Sequence, residues 1–324
     1  MTRPNALRRF RPSTLLTSPS TPMNPTTAVA TPRHRAALAA CAFAALLASP
    51  LAWGQKVFTS AEAAANAFVD AVATHDTAAL RSILGADYRR FVPETDQEDI
   101  TAFLYASSQG RRIVNDSADQ AHLSVGTGNW TLPIPMVKSA EGWRFDVKAG
   151  AQEMRYRRIG RNELAAIQAL LAYFDAQKDY ARADRDGDGY VAYAQRIRST
   201  PGKHDGLVWA DDPAGSPLGP LYGDATRNGV YHGYRFRILT AQGPSARGGA
   251  RSYMLGKRMS GGFAAIAWPA KHGDTGVMSF LISHDGVVYQ KDLGSGTDAA
   301  ARAITRFDPD ASWQAVPAAA MAAK

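Results

Sequence analysis

The sequence predicts an α+β fold: N-terminal helices packed on an antiparallel sheet, then a long helix packed on a second antiparallel sheet. Three observations lead there. Helix-start signals and apolar stripes precede short strand-like runs between residues 57 and 155, one long amphipathic stripe follows residue 160, and strand patterns with Asp-Gly turns dominate after residue 234. The implied organisation is a leader over 1–54, an α+β domain over 55–155, a helix-plus-sheet domain over 160–316 and a tail over 317–324.

The leader reads as an export signal. Arg33, His34 and Arg35 form a basic segment, residues 36–49 (AALAACAFAALLAS) an apolar one, and Ala52-Trp53-Gly54 puts small residues at the −3 and −1 positions before Gln55. The apolar run ends at Pro50, short of the roughly 20 residues that span a bilayer. Cys41 lies inside that run and not at the cleavage point, so no lipid anchor is expected. Residues 1–31 are rich in Pro, Ser and Thr, and Met23 offers a start for a more ordinary leader. The predicted location is the periplasm or the exterior.

Cleavage changes what the composition means. The leader holds six of the 37 Lys and Arg residues and none of the 29 acids, so most of the formal +8 charge leaves with it. A nucleic-acid partner, which the whole-chain charge would suggest, is therefore not expected, nor is membrane insertion after cleavage. The single cysteine leaves too, which excludes an intramolecular disulfide, a thiolate metal site and a cysteine nucleophile.

In the first domain, Thr59-Ser60-Ala61-Glu62 reads as a capping box, and Ala64, Phe68, Val69 and Val72 form the stripe behind it. Asp76 suits the cap of a second helix reaching Leu84, and residues 95–98 repeat the box ahead of Ile100, Phe103 and Leu104. Strands are predicted over 111–115, 122–126, 130–137 and 143–147, with Glu141-Gly142 as a hairpin turn. This order, with the phrase FVDAVATHDTAALRSIL, resembles nuclear-transport-factor-like and cystatin-like folds, where His75, Asp76 and Asp87 would be the polar candidates for a pocket.

In the second domain, Leu164, Ile167, Leu171 and Phe174 fall on one helical face, with Asn162 as cap and an end near Ala183. Tyr234, Phe236 and Ile238 alternate as a strand, and residues 277–283 pair with 287–291 across His284-Asp285-Gly286. Trp209, Tyr231 and Trp268 are either core or contact residues.

Chemistry is sparse. Asp184, Asp186 and Asp188 occupy positions 1, 3 and 5 of a calcium-loop pattern, with Gly189 at position 6 and Tyr190 offering its carbonyl, so calcium is the candidate cofactor. Position 12 is Gln195, which cannot replace a bidentate glutamate, and a turn that stops the long helix is the alternative. His204-Asp205-Gly206 and His284-Asp285-Gly286, with His232 and His272, could supply a His/Asp acid-base pair, but no recognised hydrolase motif accompanies them. The loop over 242–262, with Arg247, Arg251, Lys257 and Arg258 among six glycines, is either an anion cradle or a solvated hairpin.

The phrases GSPLGPLYGDA (215–225), YHGYRFRILTAQG (231–243), GGFAAIAWPAKHGDTGVMSFLISHDGVVYQKDLG (261–294) and FDPDASW (307–313) resemble a secreted proteobacterial family known as domain of unknown function 2950. That resemblance implies no activity and no catalytic residue. A fainter one, to pilin-like and pseudopilin-like head domains, rests on the long helix, the sheet and the Asp-Gly hairpin, while the apolar assembly helix of a pilin is missing after cleavage. The functional expectation is a non-catalytic binding or interaction module of the cell envelope. The alternatives are a periplasmic hydrolase using the C-terminal His/Asp pairs and a calcium-stabilised envelope assembly component with an envelope protein as partner.

Overall fold

The computed structural model describes residues 54–219 and 229–317. The expected leader up to Trp53 and the tail from residue 318 lie outside the described residues, as do residues 220–228. Helix α1, Ala61–Ala73, begins at Ser60, whose Oγ accepts the Ala63 amide at 3.1 Å. The cap is thus one residue later than the box starting at Thr59. Asp76 caps α2, Thr77–Leu84, as expected, and α3, Gln97–Gln109, is capped by Asp96 in place of Thr95. Asp wins there because its carboxylate reaches the Asp99 amide directly.

Strands β1 Arg111–Asn115, β2 Gln120–Val125, β3 Met136–Ser139 and β4 Gly142–Phe145 form an antiparallel meander in that order. The strand expected over 130–137 is mostly loop. Pro133 and Pro135 have no amide to donate, so regular pairing resumes only at Met136. Phe68 and Val69 of α1, Leu84 of α2, and Leu123, Met136 and Phe145 of the sheet make the first core. Phe68 packs on Phe145 with ring centroids 5.4 Å apart.

The largest departure from expectation is α4, a single helix over Val147–Tyr180. Its 34 residues span about 51 Å at 1.5 Å per residue. The cap is Asp146, whose Oδ1 accepts the Lys148 and Ala149 amides at 3.0 Å; Asn162 is interior, and the expected break at 151–160 is helical throughout. Residues 147–160 carry no apolar stripe, but they are rich in Ala, Gln, Glu, Met and Arg, all good helix formers. Gly150 is required by packing: a Cβ there would lie 2.9 Å from Ile134 Cγ1 and 3.0 Å from its Cα. Its bare backbone lets the 126–135 loop lie against the helix.

The buried seam of α4 is also rotated from the expected stripe. Ala166, Leu170, Tyr173, Gln177 and Tyr180 are buried, whereas Leu171 and Phe174 are only partly so. A stripe read by side-chain size undervalues alanine, which here allows close approach to the sheet. Gln177, fully buried, completes a backbone-like pairing: Nε2 donates to the Ala194 carbonyl and Oε1 accepts the Ala194 amide, both at 2.8 Å.

The second sheet runs in the order β13-β12-β11-β10-β5, all antiparallel, from β5 Tyr234–Leu239, β10 Ala264–Pro269, β11 Met278–Ser283, β12 Val288–Asp292 and β13 Gln314–Ala315. Two small hairpins intervene, β6 Ala241–Gln242 with β7 Arg251–Ser252 and β8 Met254–Leu255 with β9 Arg258–Met259. Helix α5, Thr297–Ala303, follows β12. Strand β10 is buried at all six positions, packed by both α4 and α5. The β11–β12 hairpin is as expected, with Ile282 opposite Val288 and Gly286 at φ 76°.

Polar contacts tie α4 to both halves. Arg157 donates to the Thr131 carbonyl at 2.6 Å and to its Oγ1 at 2.9 Å. On the other side Arg158 pairs with Asp274, Asn162 donates to the Thr275 carbonyl at 2.8 Å, and Glu163 Oε1 accepts the Val277 and Met278 amides at 2.8 and 3.0 Å. Residues 162 and 163, expected to open a helix, instead hold the β10–β11 connection. Gln177→Leu is expected to cost about 3 kcal/mol in denaturant unfolding, because it leaves both Ala194 backbone groups buried and unpaired; a change below about 1 kcal/mol would contradict that role.

Candidate functional site

A cavity of about 580 Å³ opens between the first sheet and the start of α4. Asp116 comes from the β1–β2 turn, Gln120 and His122 from one face of β2, and Thr131 and Pro135 from the loop that Gly150 admits. Lys148, Ala149, Gln152, Glu153, Tyr156 and Arg157 come from α4, in pairs four residues apart that a helix stacks on one side. The same segment that lacked an apolar stripe thus supplies a polar wall.

Its charges are largely paired. His122 Nδ1 meets Asp116 Oδ2 at 2.5 Å, and Arg157 Nε donates to Glu153 Oε1 at 2.7 Å. Gln152 donates to the Tyr156 hydroxyl. The Lys148 ammonium has no polar partner among the described residues, and Asp116 Oδ1 and Glu153 Oε2 remain free to accept. None of these side chains was singled out from the sequence. The readable signal was the i, i+4 recurrence of polar residues from Lys148 to Arg157; the joining of β2 to that face is tertiary.

The residues singled out from the sequence lie elsewhere. Asp76 caps α2 beside a smaller cavity of about 230 Å³, His75 occupies a left-handed turn at φ 52°, and Asp87 is exposed near Arg90. The His/Asp candidates are dispersed. His204 pairs with Asp211 at 3.1 Å and stacks on Trp209, whereas Asp205 accepts the Thr200 amide. His272 pairs with Asp292 at 2.8 Å, and His284 meets Arg251 at 2.9 Å. His272 precedes β11 and His284 follows it, so a six-residue strand, about 20 Å, separates them. His232 sits in a turn against Tyr231.

The 242–262 loop folds as the two small hairpins, held from inside by Gln242, whose Nε2 donates to the Arg247 and Gly249 carbonyls. Arg251 and Arg258 are engaged separately by His284 and Asp188, so these two do not converge on a common point. Trp209 and Trp268 are core, each 4 % exposed.

Asp184, Asp186 and Asp188 bring carboxylate oxygens within 4.8 Å of one another, a spacing that could hold a hard cation. The protein's own donors already use much of that capacity. Asp184 accepts the Gly187, Asp188 and Gly189 amides, and Asp188 Oδ2 accepts from Arg258 Nε at 2.6 Å. The Arg258 guanidinium also lies 3.7 Å from the Tyr190 ring centre, and Gln195 is turned away to the Lys257 carbonyl. Desolvation, then repulsion from Asp188, raises the Asp186 carboxyl above its ordinary value, whereas the Gly189 amide foremost lowers Asp184 from its ordinary 3.8. A lowered folded value means that the turn's stabilisation is complete above about pH 4 and lost as pH falls through the folded value. Protection of the Gly187, Asp188 and Gly189 amides, taken relative to the exchange of an unstructured peptide at the same pH, is therefore expected to persist down to about pH 4 and to be lost in Asp184→Ala; unchanged protection in that variant would contradict this.

The family model described as "Protein of unknown function (DUF2950)" matches residues 55–316. No curated protein and no solved structure matches the chain. The matched span takes in both cores, the shared helix α4 and the whole lining of the cavity, and by it the chain belongs to the DUF2950 family of proteins of unknown function.

Proposed function

We propose that the protein is an exported, non-catalytic binding module of the cell envelope whose ligand sits in the cavity between the first sheet and α4. The observation that carries this reading is the convergence of polar side chains from a turn, a strand, a loop and a helix on one concavity of about 580 Å³, within the range of small-molecule sites. In the C-terminal half His204 pairs with Asp211 and His272 with Asp292, while His284 meets Arg251, and these contacts lie apart from one another and outside the cavity lining. Within the cavity, the Thr131 hydroxyl accepts from Arg157 Nη2 at 2.9 Å. Export rests on the leader, and is supported by the start of the family match at Gln55, whose side chain donates to the Ile83 and Phe145 carbonyls and so begins the folded body.

A second reading, water activation by His122, is favoured by its Asp116 contact, since a carboxylate at one ring nitrogen leaves the other to act as base. The two readings separate in one comparison. A thermal-shift screen of small polar metabolites is expected to find compounds that raise the melting temperature of the protein, are recovered unchanged, and lose their effect in Ala149→Trp, which fills the cavity from an exposed helix position. Turnover that disappears in His122→Ala would instead establish the hydrolase. For export, the N-terminal residue of the protein in the envelope fraction is expected to be Gln55, and an uncleaved cytoplasmic protein would overturn that part.

A further inference from the structure

We infer that the first sheet carries the interface for a second copy of this chain: two β1 strands pair antiparallel about a two-fold axis at Ile113 and join two four-stranded sheets into one. The inference goes beyond the binding-module reading and stands without it. Strand β1 ends its sheet, with β2 as its single neighbouring strand. The Leu132 amide donates to the Leu123 carbonyl and the Val125 amide to the Trp130 carbonyl, so the odd-numbered residues of β2 turn their backbone groups away from β1. His122 and Ser124 therefore bond Val114 and Arg112. Arg111, Ile113 and Asn115 point their amides and carbonyls outward, where they have no hydrogen-bond partner among the described residues.

The strand is fit to pair. Its five residues run in unbroken register with β2, without proline or bulge, and Arg111, Arg112 and Asn115 are exposed. The Arg112 guanidinium donates to the Gly128 carbonyl and to Asn129 Oδ1, both at 3.3 Å, which holds it over its own sheet. At the opposite edge Phe58 exchanges both backbone bonds with Trp143 of β4, at 2.8 Å, so this sheet offers β1 as its open side. Pairing uses β1 in both copies and closes as a dimer.

Charge selects the occupant. The two arginines lie at one end of the strand, and Asp116 and Asp119, both exposed, lie in the turn at the other. An acidic peptide along this edge would suit the arginines and be repelled at the turn, and a basic one would meet the reverse. An antiparallel second copy matches both ends. Arg111 falls opposite Asn115 of the second copy, Arg112 opposite Val114, and Ile113 opposite its own counterpart. No like charges then stand opposite each other, and about six backbone hydrogen bonds form. Ile113, partly buried against the first core, gains apolar cover on its open side. Two short strands make a small interface, so the dimer dissociates on dilution.

The test is sedimentation equilibrium of the purified protein over about a hundredfold range of concentration, repeated on Asn115→Pro, Asn115→Arg and the double variant Arg111→Asn with Asn115→Arg. Both positions are exposed, and the Asn115 amide bonds nothing within its own sheet, so the monomer keeps its hydrogen bonds in each variant. The wild type is expected to pass from monomer to dimer as concentration rises. Asn115→Pro, which removes an outward donor and puts a ring in the way of the second copy, is expected to stay monomeric. Asn115→Arg sets an arginine against Arg111 of the second copy and is expected to weaken the dimer about tenfold, and adding Arg111→Asn, which exchanges the two residues, to restore it. A protein that is monomeric at every concentration, a dimer that tolerates Asn115→Pro, or an Asn115→Arg defect that Arg111→Asn does not relieve would each overturn the inference.

Discussion

One helix serves two cores, and the rest of the structure depends on how it is held. The first turns of α4 lie against the four-stranded sheet and its loop, and its C-terminal two thirds form the spine of the second core. A rod of about 51 Å cannot bend to suit each half, so each half must be fastened to it at fixed positions. Arg157 fastens the 126–135 loop, and Arg158, Asn162 and Glu163 fasten the β10–β11 connection. Most of these are side-chain contacts to backbone groups in a connection, where apolar packing alone would leave amides and carbonyls unsatisfied.

The same constraint makes the cavity. The segment of α4 that carries no apolar stripe cannot be buried, yet it is held beside the sheet by Gly150 and Arg157. A polar helix face fixed near a polar strand face leaves a concavity that neither side has apolar groups to fill. Within it Asp116 meets His122 and Glu153 meets Arg157, and Lys148 has no ion-pair partner among the lining residues. Structure and candidate site thus come from one arrangement: Arg157 belongs both to the fastening and to the lining.

At the other end of α4 the Asp184 loop shows how a calcium-like pattern can serve as a terminus. Three amides fold onto Asp184, and Arg258 supplies the positive charge that the clustered carboxylates call for. The glycines at 187 and 189 take φ of 75° and 85°, which lets the chain reverse direct from the helix into the segment that pairs with Gln177 and Met259.

The sequence by itself determined the α+β class, the caps of the first helices to within a residue, the Asp-Gly hairpin and the family, because each is written in local chemistry: a carboxylate or hydroxyl before a helix, glycine at a positive φ, alternation along a strand, and phrases in order. Only the tertiary structure decided that α4 is continuous through the expected domain boundary, that Asn162 and Glu163 are fasteners and not a cap, and that the buried seam runs through Ala166 and Gln177. It alone placed His122 beside Asp116 and both before Lys148, and set His272 and His284 at opposite ends of one strand. The physical reason is the same in each case. Periodicity reports where a chain can bury apolar surface, and this site is made of polar residues whose partners come from distant segments, so nothing in their local pattern records the meeting.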